Sequence, residues 1–162
     1  MAKNNYLIEG VSGTGKSSVC AALRARGYKA IDGDQELAYQ GDPVSGKKTT
    51  GFTHENHIWD VEKVNKLAKD KNEEVAFFCG GSRNFRKFID LFDKVFILDV
   101  DSKTLDKRLD SRPINAWGKS QQQRQLIHRL HKTKEDIPSG GITIDATRSL
   151  DQVVDQIIQN LK

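Results

Sequence analysis

Five short apolar runs alternate along the chain with longer segments whose apolar residues recur at helical spacing. Residues 75–79 and 95–98 are continuously apolar, as expected of parallel strands that are covered on both faces. Strands that alternate with helices predict right-handed crossovers and a parallel sheet. The predicted strands are Tyr6–Glu9, Lys29–Ile31, Val75–Cys79, Lys94–Asp99 and Gly141–Asp145.

The helical segments carry start and stop signals of their own. Gly27 is a natural residue to follow the first helix, and Pro113 stops the fourth. Ser120 and Ser149 each have Gln three residues on, which fits a capping box. The stretch Tyr39–Thr53, rich in Gly, Lys, Thr and Pro, is predicted to be a mobile loop. The predicted helices are Ser17–Arg26, Glu55–Lys71, Asn84–Leu91, Ser102–Ser111, Gln121–Glu135 and one that begins after Ser149.

Residues 10–17 read Gly-Val-Ser-Gly-Thr-Gly-Lys-Ser, the phosphate-loop pattern, between the first strand and the first helix. Its glycines allow positive φ angles, so that the backbone amides can surround a phosphate at the helix N-terminus. Lys16 should reach the β- and γ-phosphates, and the Ser17 hydroxyl should bind Mg²⁺. The predicted nucleotide-binding residues of the loop are Gly10, Ser12, Gly13, Thr14, Gly15, Lys16, Ser17 and Ser18.

In a parallel α/β sheet, ligands bind beyond the carboxyl ends of the strands, so the residues there are the next candidates. Asp32 and Asp34 follow the second strand. Asp32 could hold a water on Mg²⁺, and Asp34 could accept the proton of an attacking hydroxyl. The alternative is an Asx turn that ends the strand.

The third strand ends in Cys79-Gly80-Gly81-Ser82-Arg83, without the acidic metal ligand that many phosphate-loop proteins carry there. This shifts the metal role towards Asp32. Gly80 and Gly81 would let a substrate approach the backbone, and Arg83 could pair with a substrate anion. The alternative for Arg83 is an exposed arginine near a helix start.

A basic segment follows the fourth strand, where Asp101 or Ser102 is a simple helix cap. Arg108 and Arg112 are one helical turn apart and could close on the transferred phosphoryl group. Together with Trp117 they predict a lid at about residues 112–120, which would exclude water from the reaction. The alternative is a solvated basic turn.

Weaker candidates lie elsewhere. The loop after the fifth strand, with Thr147 and Arg148, could border an adenine ring. The histidines fall into pairs at spacing i,i+3, for which exposed positions are favoured over a metal site. Even so, His54, His57, Trp59 and Asp60 could line a substrate pocket because they follow the predicted mobile loop.

The composition fits one globular domain over residues 1–162. The chain is 36% hydrophobic and 30% charged, and it has no apolar run long enough for a membrane span or a signal peptide. Its two cysteines fall in predicted buried elements, so we expect reduced thiols and a cytoplasmic protein. The net charge of +4 suits an anionic ligand, and it does not require a nucleic acid.

At these motifs the chain resembles the small P-loop kinases, which include nucleoside and nucleoside-monophosphate kinases, shikimate kinase and gluconate kinase. The loop at 10–17 is very similar to that of gluconate kinase, and Asp32-Gly33-Asp34 is similar to the Asp-x-Asp of shikimate and gluconate kinases. The segment 115–119 also resembles bacterial ATP-binding proteins that carry the label nucleoside kinase. The resemblance implies that the first Asp helps hold Mg²⁺, that the second binds a substrate hydroxyl, and that the loop after residue 145 borders the adenine. The segment 39–60 matches no substrate-binding pattern of the family.

These observations predict a three-layer α/β/α P-loop NTPase fold with a five-stranded parallel sheet in the order 2-3-1-4-5. The predicted function is transfer of the γ-phosphoryl group of MgATP to a small molecule, with a nucleoside or nucleotide favoured. Sugar-acid and antibiotic kinases are alternatives, as is a kinase or binding module for nucleic-acid ends that would use the basic segment 103–134. We expect Lys16, Asp34, Arg108 and Arg112 to act in catalysis, and the protein to be a monomer or a homodimer. The predicted acceptor-binding residues are Asp34, Trp59, Gly80, Gly81 and Arg83.

Overall fold

A computed structural model describes residues 3–161 of the chain. A five-stranded sheet has the order β2-β5-β1-β6-β7, and every pairing in it is parallel. This is the predicted order of the five apolar runs, so the fold-class prediction is confirmed. The phosphate loop follows the central strand. The strands of this sheet are β1 (Asn4–Glu9), β2 (Lys29–Asp32), β5 (Val75–Cys79), β6 (Lys94–Asp99) and β7 (Ile142–Asp145).

Helices cover both faces of the sheet and divide the core into two layers. Tyr6 and Ile8 of β1 pack in the layer beneath α1, α4, α5 and α6, whereas Leu7 faces the layer beneath α3. This alternation is the two-residue period of a strand that is buried on both faces. The helices are α1 (Lys16–Ala25), α2 (Gly33–Glu36), α3 (Val61–Lys69), α4 (Ser102–Asp110), α5 (Gln121–Thr133) and α6 (Leu150–Gln159).

The predicted helix Glu55–Lys71 is wrong at its start. Its first residues form a 3-10 turn, and then β4 (His57–Trp59) pairs antiparallel with β3 (Ala38–Gln40). Helix α3 begins only after Asp60, whose side chain caps it by accepting from the Lys63 amide at 3.2 Å. Tertiary pairing with β3 therefore overrides the helical propensity of this segment.

The segment 39–53, predicted to be a loop throughout, begins inside β3 and folds back on itself. Gly41 forms an isolated bridge with Lys48, and the Tyr39 hydroxyl donates to the Gly46 carbonyl at 2.7 Å. The predicted helix Asn84–Leu91 is also wrong, because the structure has 3-10 turns at Phe85–Lys87 and Ile89–Leu91. Phe85 and Phe88 are both buried, and their three-residue spacing matches the 3-10 period.

The helix caps predicted from the sequence are present at α4, α5 and α6, but one of the two predicted capping boxes is incomplete. Ser149 and Gln152 form a full capping box at α6. Ser120 caps α5, but the Gln123 side chain accepts from the Gly118 amide instead, so that box is incomplete. Asp101 caps α4 as expected. Among residues 3–161, no helix is long and apolar enough to cross a membrane.

Candidate functional site

The phosphate loop joins β1 to α1 and has a backbone that requires glycine. Gly15 has φ +101° and stands at the N-cap of α1, so any other residue there would be strained. The Lys16 ammonium donates to the Gly10 carbonyl and thereby folds its side chain back over the loop. Ser12 and Ser17 face the open side, whereas Thr14 is buried and its hydroxyl donates to the Val11 carbonyl at 2.7 Å. The loop thus presents a lysine, hydroxyls and a helix N-terminus at one edge of the sheet.

A cleft of about 530 Å³ opens beside this loop at the carboxyl edge of the sheet. The cleft brings together residues that the sequence places far apart, from the loop at 10–18 to Asp136. Predicted site residues that line it are Gly10, Ser12, Gly13, Gly15, Lys16, Ser17, Ser18, Asp34, Gly81, Arg83, Arg108 and Arg112. Predicted site residues outside its wall are Thr14, Asp32, Trp59, Gly80, Thr147 and Arg148.

Asp34 reaches the cleft opposite the loop and is held there by His57. The His57 Nε2 lies 2.9 Å from Oδ1 of Asp34. Burial alone would raise the pKa of Asp34, but the hydrogen bond from His57 and the charge of Lys16 outweigh it, so the pKa lies below 3.8. Asp34 is therefore an ionised carboxylate at neutral pH, with one oxygen already oriented.

Trp59, predicted to contact the acceptor, lies in the core instead. It is 1% exposed, and its indole stacks on Phe88 with the ring centroids 5.5 Å apart. A Cβ at Gly33 would lie 2.1 Å from the indole, and one at Gly80 would lie 2.9 Å from it. A Cβ at Gly80 would also lie 2.8 Å from Oδ1 of Asp34. The absence of side chains at Gly33 and Gly80 thus leaves space for the indole, and at Gly80 it also leaves space for the Asp34 carboxylate. From the sequence, the space at Gly80 was predicted to serve a substrate instead.

Arg83 lines the cleft but is already paired. Its Nη1 lies 2.7 Å from Oδ2 of Asp136 and also donates to the Asp136 carbonyl at 2.7 Å. The same Oδ2 lies 2.8 Å from Nε2 of His54. Burial alone would raise the pKa of Asp136, but the hydrogen bond from His54 and the charge of Arg83 lower it overall. The guanidinium, the carboxylate and the imidazole therefore form one cluster in the wall of the cleft.

Glu9, the last residue of β1, stands behind this cluster and is 1% exposed. Its Oε1 lies 4.0 Å from Nη2 of Arg83. Burial raises the pKa of Glu9 to about 8, although the charges of Lys16 and Arg83 oppose this. Burial also lowers the pKa of Lys16. The phosphate-loop lysine therefore interacts electrostatically with a buried carboxyl group that does not itself line the cleft.

The arginines of the predicted lid contact the loop and the neighbouring strand end. Arg108 donates to the Gly13 carbonyl at 3.3 Å and to the Ala146 carbonyl at 2.6 Å, so it links the phosphate loop to the segment after β7. Arg112 donates to the Trp117 carbonyl at 2.8 Å, which fixes the turn between α4 and α5. The Trp117 ring stacks on His54 with centroids 5.6 Å apart. The segment 111–120 therefore lines the cleft through Arg112 and Trp117, and its Trp117 contacts His54.

Ser17 is the only predicted metal ligand that lines the cleft. The Asp32 carboxylate caps α2, where it accepts from the Gln35 amide at 3.3 Å. Across residues 3–161, no group of three or more His, Cys, Asp or Glu side chains could hold a metal ion. A cation here would therefore depend on Ser17 and on phosphate oxygens of a nucleotide, which is how Mg²⁺ is commonly held beside substrate phosphates.

Thr147 and Arg148 lie at the carboxyl end of β7 and are exposed. The Thr147 hydroxyl donates to Asp145 at 2.5 Å, and the Arg148 guanidinium lies 3.7 Å from the same carboxylate. Neither side chain faces the cleft. The contact of this segment with the cleft wall is instead the Ala146 carbonyl, through Arg108.

Sequence reasoning missed Asp136 and Glu9. Asp136 follows α5 in an irregular segment, so the rule of searching after strands does not reach it. Glu9 did carry a signal, because it is an acidic residue at the end of an otherwise apolar run. Burying such a group requires a partner or a protonated form.

No protein-family model and no curated protein matches this chain. Solved structures do match over nearly its whole length. A shikimate kinase from Aquifex aeolicus has a TM-score of 0.61 at 16% identity, covering 97% of this chain and 95% of its own. A gluconokinase from Sinorhizobium meliloti has a TM-score of 0.58 at 20% identity, covering 98% and 95%. A sugar kinase from a Janibacter species has a TM-score of 0.58 at 16% identity, covering 98% and 94%. These likenesses establish that the chain has the fold of the small P-loop kinases.

Proposed function

We propose that the protein is a small-molecule kinase that transfers the γ-phosphoryl group of MgATP to a hydroxyl group. The observation that carries the proposal is that Lys16 and Asp34 line one cleft and interact electrostatically. A phosphate-binding lysine facing an ionised carboxylate is the arrangement that phosphoryl transfer to a hydroxyl needs. The fold shared with shikimate kinase, gluconokinase and a sugar kinase supports the same reaction class.

Each wall of the cleft has its part in this reaction. Lys16 and the loop amides would hold the β- and γ-phosphates. Asp34, oriented by His57, would accept a hydrogen bond from the acceptor hydroxyl and take its proton as the new bond to phosphorus forms. Arg108 and Arg112 would neutralise charge on the transferred group, and the segment 111–120 would exclude water.

Mg²⁺ would be held by Ser17 together with the nucleotide phosphates, and Asp32 would reach it only through water. The ion would supply charge neutralisation at the phosphates. The adenine would lie near the Ala146 carbonyl and Arg108, with Thr147 and Arg148 at its border. The nucleoside preference drawn from the sequence stays part of this proposal, with sugar acids and hydroxylated antibiotics as alternative acceptors.

The ion pairs within the basic segment 103–134 weaken the case for nucleic-acid ends as acceptors. Arg124 is paired with Asp106 at 3.2 Å and with Asp110 at 2.6 Å. Lys134 is paired with Asp99 at 3.0 Å. Local carboxylates therefore offset part of the positive charge that would be needed to bind a phosphate backbone.

A screen of ATP consumption tests the proposal. The acceptors would be nucleosides, nucleoside monophosphates, sugar acids and hydroxylated antibiotics, each with MgATP. The proposal expects ADP formation that depends on at least one acceptor and yields a phosphorylated product. ADP formation that is equally fast without any acceptor would contradict it.

A further inference from the structure

The two walls of the cleft differ in charge. On the donor wall, formed by the phosphate loop and the end of α4, the charged side chains that line the cleft are Lys16, Arg108 and Arg112, and Arg108 donates to the Gly13 carbonyl at 3.3 Å. On the acceptor wall Asp34 and Asp136 are set against a single guanidinium, that of Arg83. The donor wall therefore suits a polyanion such as ATP, whereas the acceptor wall carries more negative than positive side chains.

The positive charge of Arg83 is already offset by a neighbouring carboxylate. Its side chain is 13% exposed, and so is that of Asp136, to which it is bonded at 2.7 Å. Glu9 approaches the same guanidinium from behind at 4.0 Å. A carboxylate or phosphate at Arg83 would compete with Asp136 for the guanidinium, and a displaced Asp136 would be left buried without its partner, which is strongly unfavourable. It would also be repelled by the carboxylates of Asp34 and Asp136, which line the same cleft.

The acceptor wall also offers flat, weakly polar surfaces. The rings of His54 and Trp117 stack on each other, and both line the cleft. Phe52 lines it as well and is 71% exposed. Gln35, Gln40 and Thr53 add uncharged hydrogen-bonding groups. Such a surface can hold a planar ring and hydroxyl groups without using a charge.

From these contacts we propose that the phosphoryl acceptor is an uncharged, hydroxylated compound with a planar ring, and that Asp136 disfavours carboxylates and phosphates by neutralising the charge of Arg83. The inference rests on the proposed kinase function and narrows its acceptor. It favours a nucleoside over a nucleotide or a sugar acid. Asp136 acts here on specificity, whereas Asp34 acts on the reacting hydroxyl.

Matched acceptor pairs test this directly, since both members of each pair have a free hydroxyl to accept the phosphoryl group and only one member carries an anionic group. Suitable pairs are a nucleoside and its 3′-monophosphate, the methyl ester of shikimate and shikimate, and glucitol and gluconate. For the wild-type enzyme we expect the uncharged member to have the higher kcat/KM, by at least about tenfold in the nucleoside pair. Calorimetric binding of the same pairs, with a non-hydrolysable ATP analogue present, gives a second readout that does not depend on turnover.

The variant Asp136→Asn should shift this preference. It keeps the side-chain shape but releases the charge of Arg83, so the anionic members should gain relative to their partners. The double variant Arg83→Gln/Asp136→Asn should lose that gain, because the gain needs the guanidinium. Asp90→Asn, which alters an exposed carboxylate outside the cleft, is the matched control and should leave the ratio unchanged.

A wild-type preference for the anionic members would overturn the inference, as would an Asp136→Asn enzyme with an unchanged ratio. Failure of every uncharged member to bind would also overturn it. The wild-type ratios decide the question even if Asp136→Asn does not fold. ATP hydrolysis that no acceptor accelerates would instead count against the proposed function, so the two failures are distinguishable.

Discussion

The donor and acceptor halves of the cleft are built in different ways. The donor half comes mainly from one continuous loop and helix start, residues 10–18, and its charged side chains are all positive. The acceptor half is assembled from Asp34, His57, Arg83 and Asp136, which lie on four separate segments and pair with one another. A polyanionic donor can be bound by unpaired positive charge and loop amides, whereas an acceptor site whose charges are paired internally selects by shape and hydrogen bonds.

Among the predicted effects, the loss of activity on removal of Lys16 from the donor half should be the largest. In Lys16→Ala, phosphoryl transfer should fall below detection, because both phosphate binding and charge neutralisation in the transition state are lost. The measurement is product formation with saturating acceptor, with Lys103→Ala, an exposed lysine outside the cleft, as control. Full transfer by Lys16→Ala would show that the loop is not the donor site.

Asp34→Asn should impair the function of the acceptor half and leave ATP binding by the donor half intact. We expect kcat to fall by about 10²–10⁴-fold, the usual contribution of a positioned base, while ATP affinity stays close to that of the wild type. Steady-state kinetics together with ATP titration would check this. A loss of ATP affinity with unchanged kcat would place Asp34 on the donor side instead.

The difference between the halves also explains what could be read from the sequence. The phosphate loop is one continuous stretch of sequence, so its motif, together with the flanking strand and helix, was enough to predict where the donor half lies. The parallel sheet followed from the apolar runs that alternate with helices, and its strand order followed from the resemblance to the small P-loop kinases. Asp34 was found because it follows a strand, as the topology requires.

The acceptor half was harder to predict from the sequence because contacts between residues far apart in the chain form it. The antiparallel contact of β3 with β4 replaces the start of a predicted helix and brings His57 to Asp34. Trp59 looked like a pocket residue, yet two glycines far apart in sequence, Gly33 and Gly80, allow its burial. Asp136 carries no local signal, since its role depends on meeting Arg83 across 53 positions.

Trp59→Ala tests whether burial of the Trp59 indole stabilises the part of the fold that carries the acceptor half. Truncating a buried aromatic side chain typically costs about 3–5 kcal/mol of unfolding free energy, and the indole supports the backbone near Asp34. Chemical denaturation would measure the loss. Phe52→Ala, at an exposed aromatic residue of the cleft mouth, should change stability by less than about 0.5 kcal/mol. Equal effects of the two variants would contradict the assignment of Trp59 to the core.

The last prediction concerns the pH dependence of stability that arises from Glu9, which interacts with Lys16 of the donor half and Arg83 of the acceptor half. Its folded-state pKa, about 8, is above its ordinary value of 4.5, so the folded protein holds a proton that the unfolded chain releases. The stability from this protonated form is fully present below pH 4.5 and is lost as pH rises to about 8. The groups facing Glu9 are Lys16, Arg83, Asp136 and Asp34.

Glu9→Gln imitates the protonated side chain and removes its titration. We therefore expect the variant to match the wild type near pH 4.5 and to become the more stable of the two as the pH approaches 8. Thermal denaturation of both proteins across this range is the measurement. Parallel stability curves would contradict a buried, protonated Glu9.

The central claim is that one cleft holds ATP and an acceptor hydroxyl together for phosphoryl transfer. The most direct test is to incubate the protein with MgATP and a nucleoside, and to quantify ADP, free phosphate and phosphorylated nucleoside by mass spectrometry. The account predicts that ADP and phosphorylated nucleoside appear in equal amounts, and that both disappear in Lys16→Ala and fall sharply in Asp34→Asn. ADP that is matched by free phosphate alone, at a rate indifferent to the nucleoside and to Asp34, would contradict it.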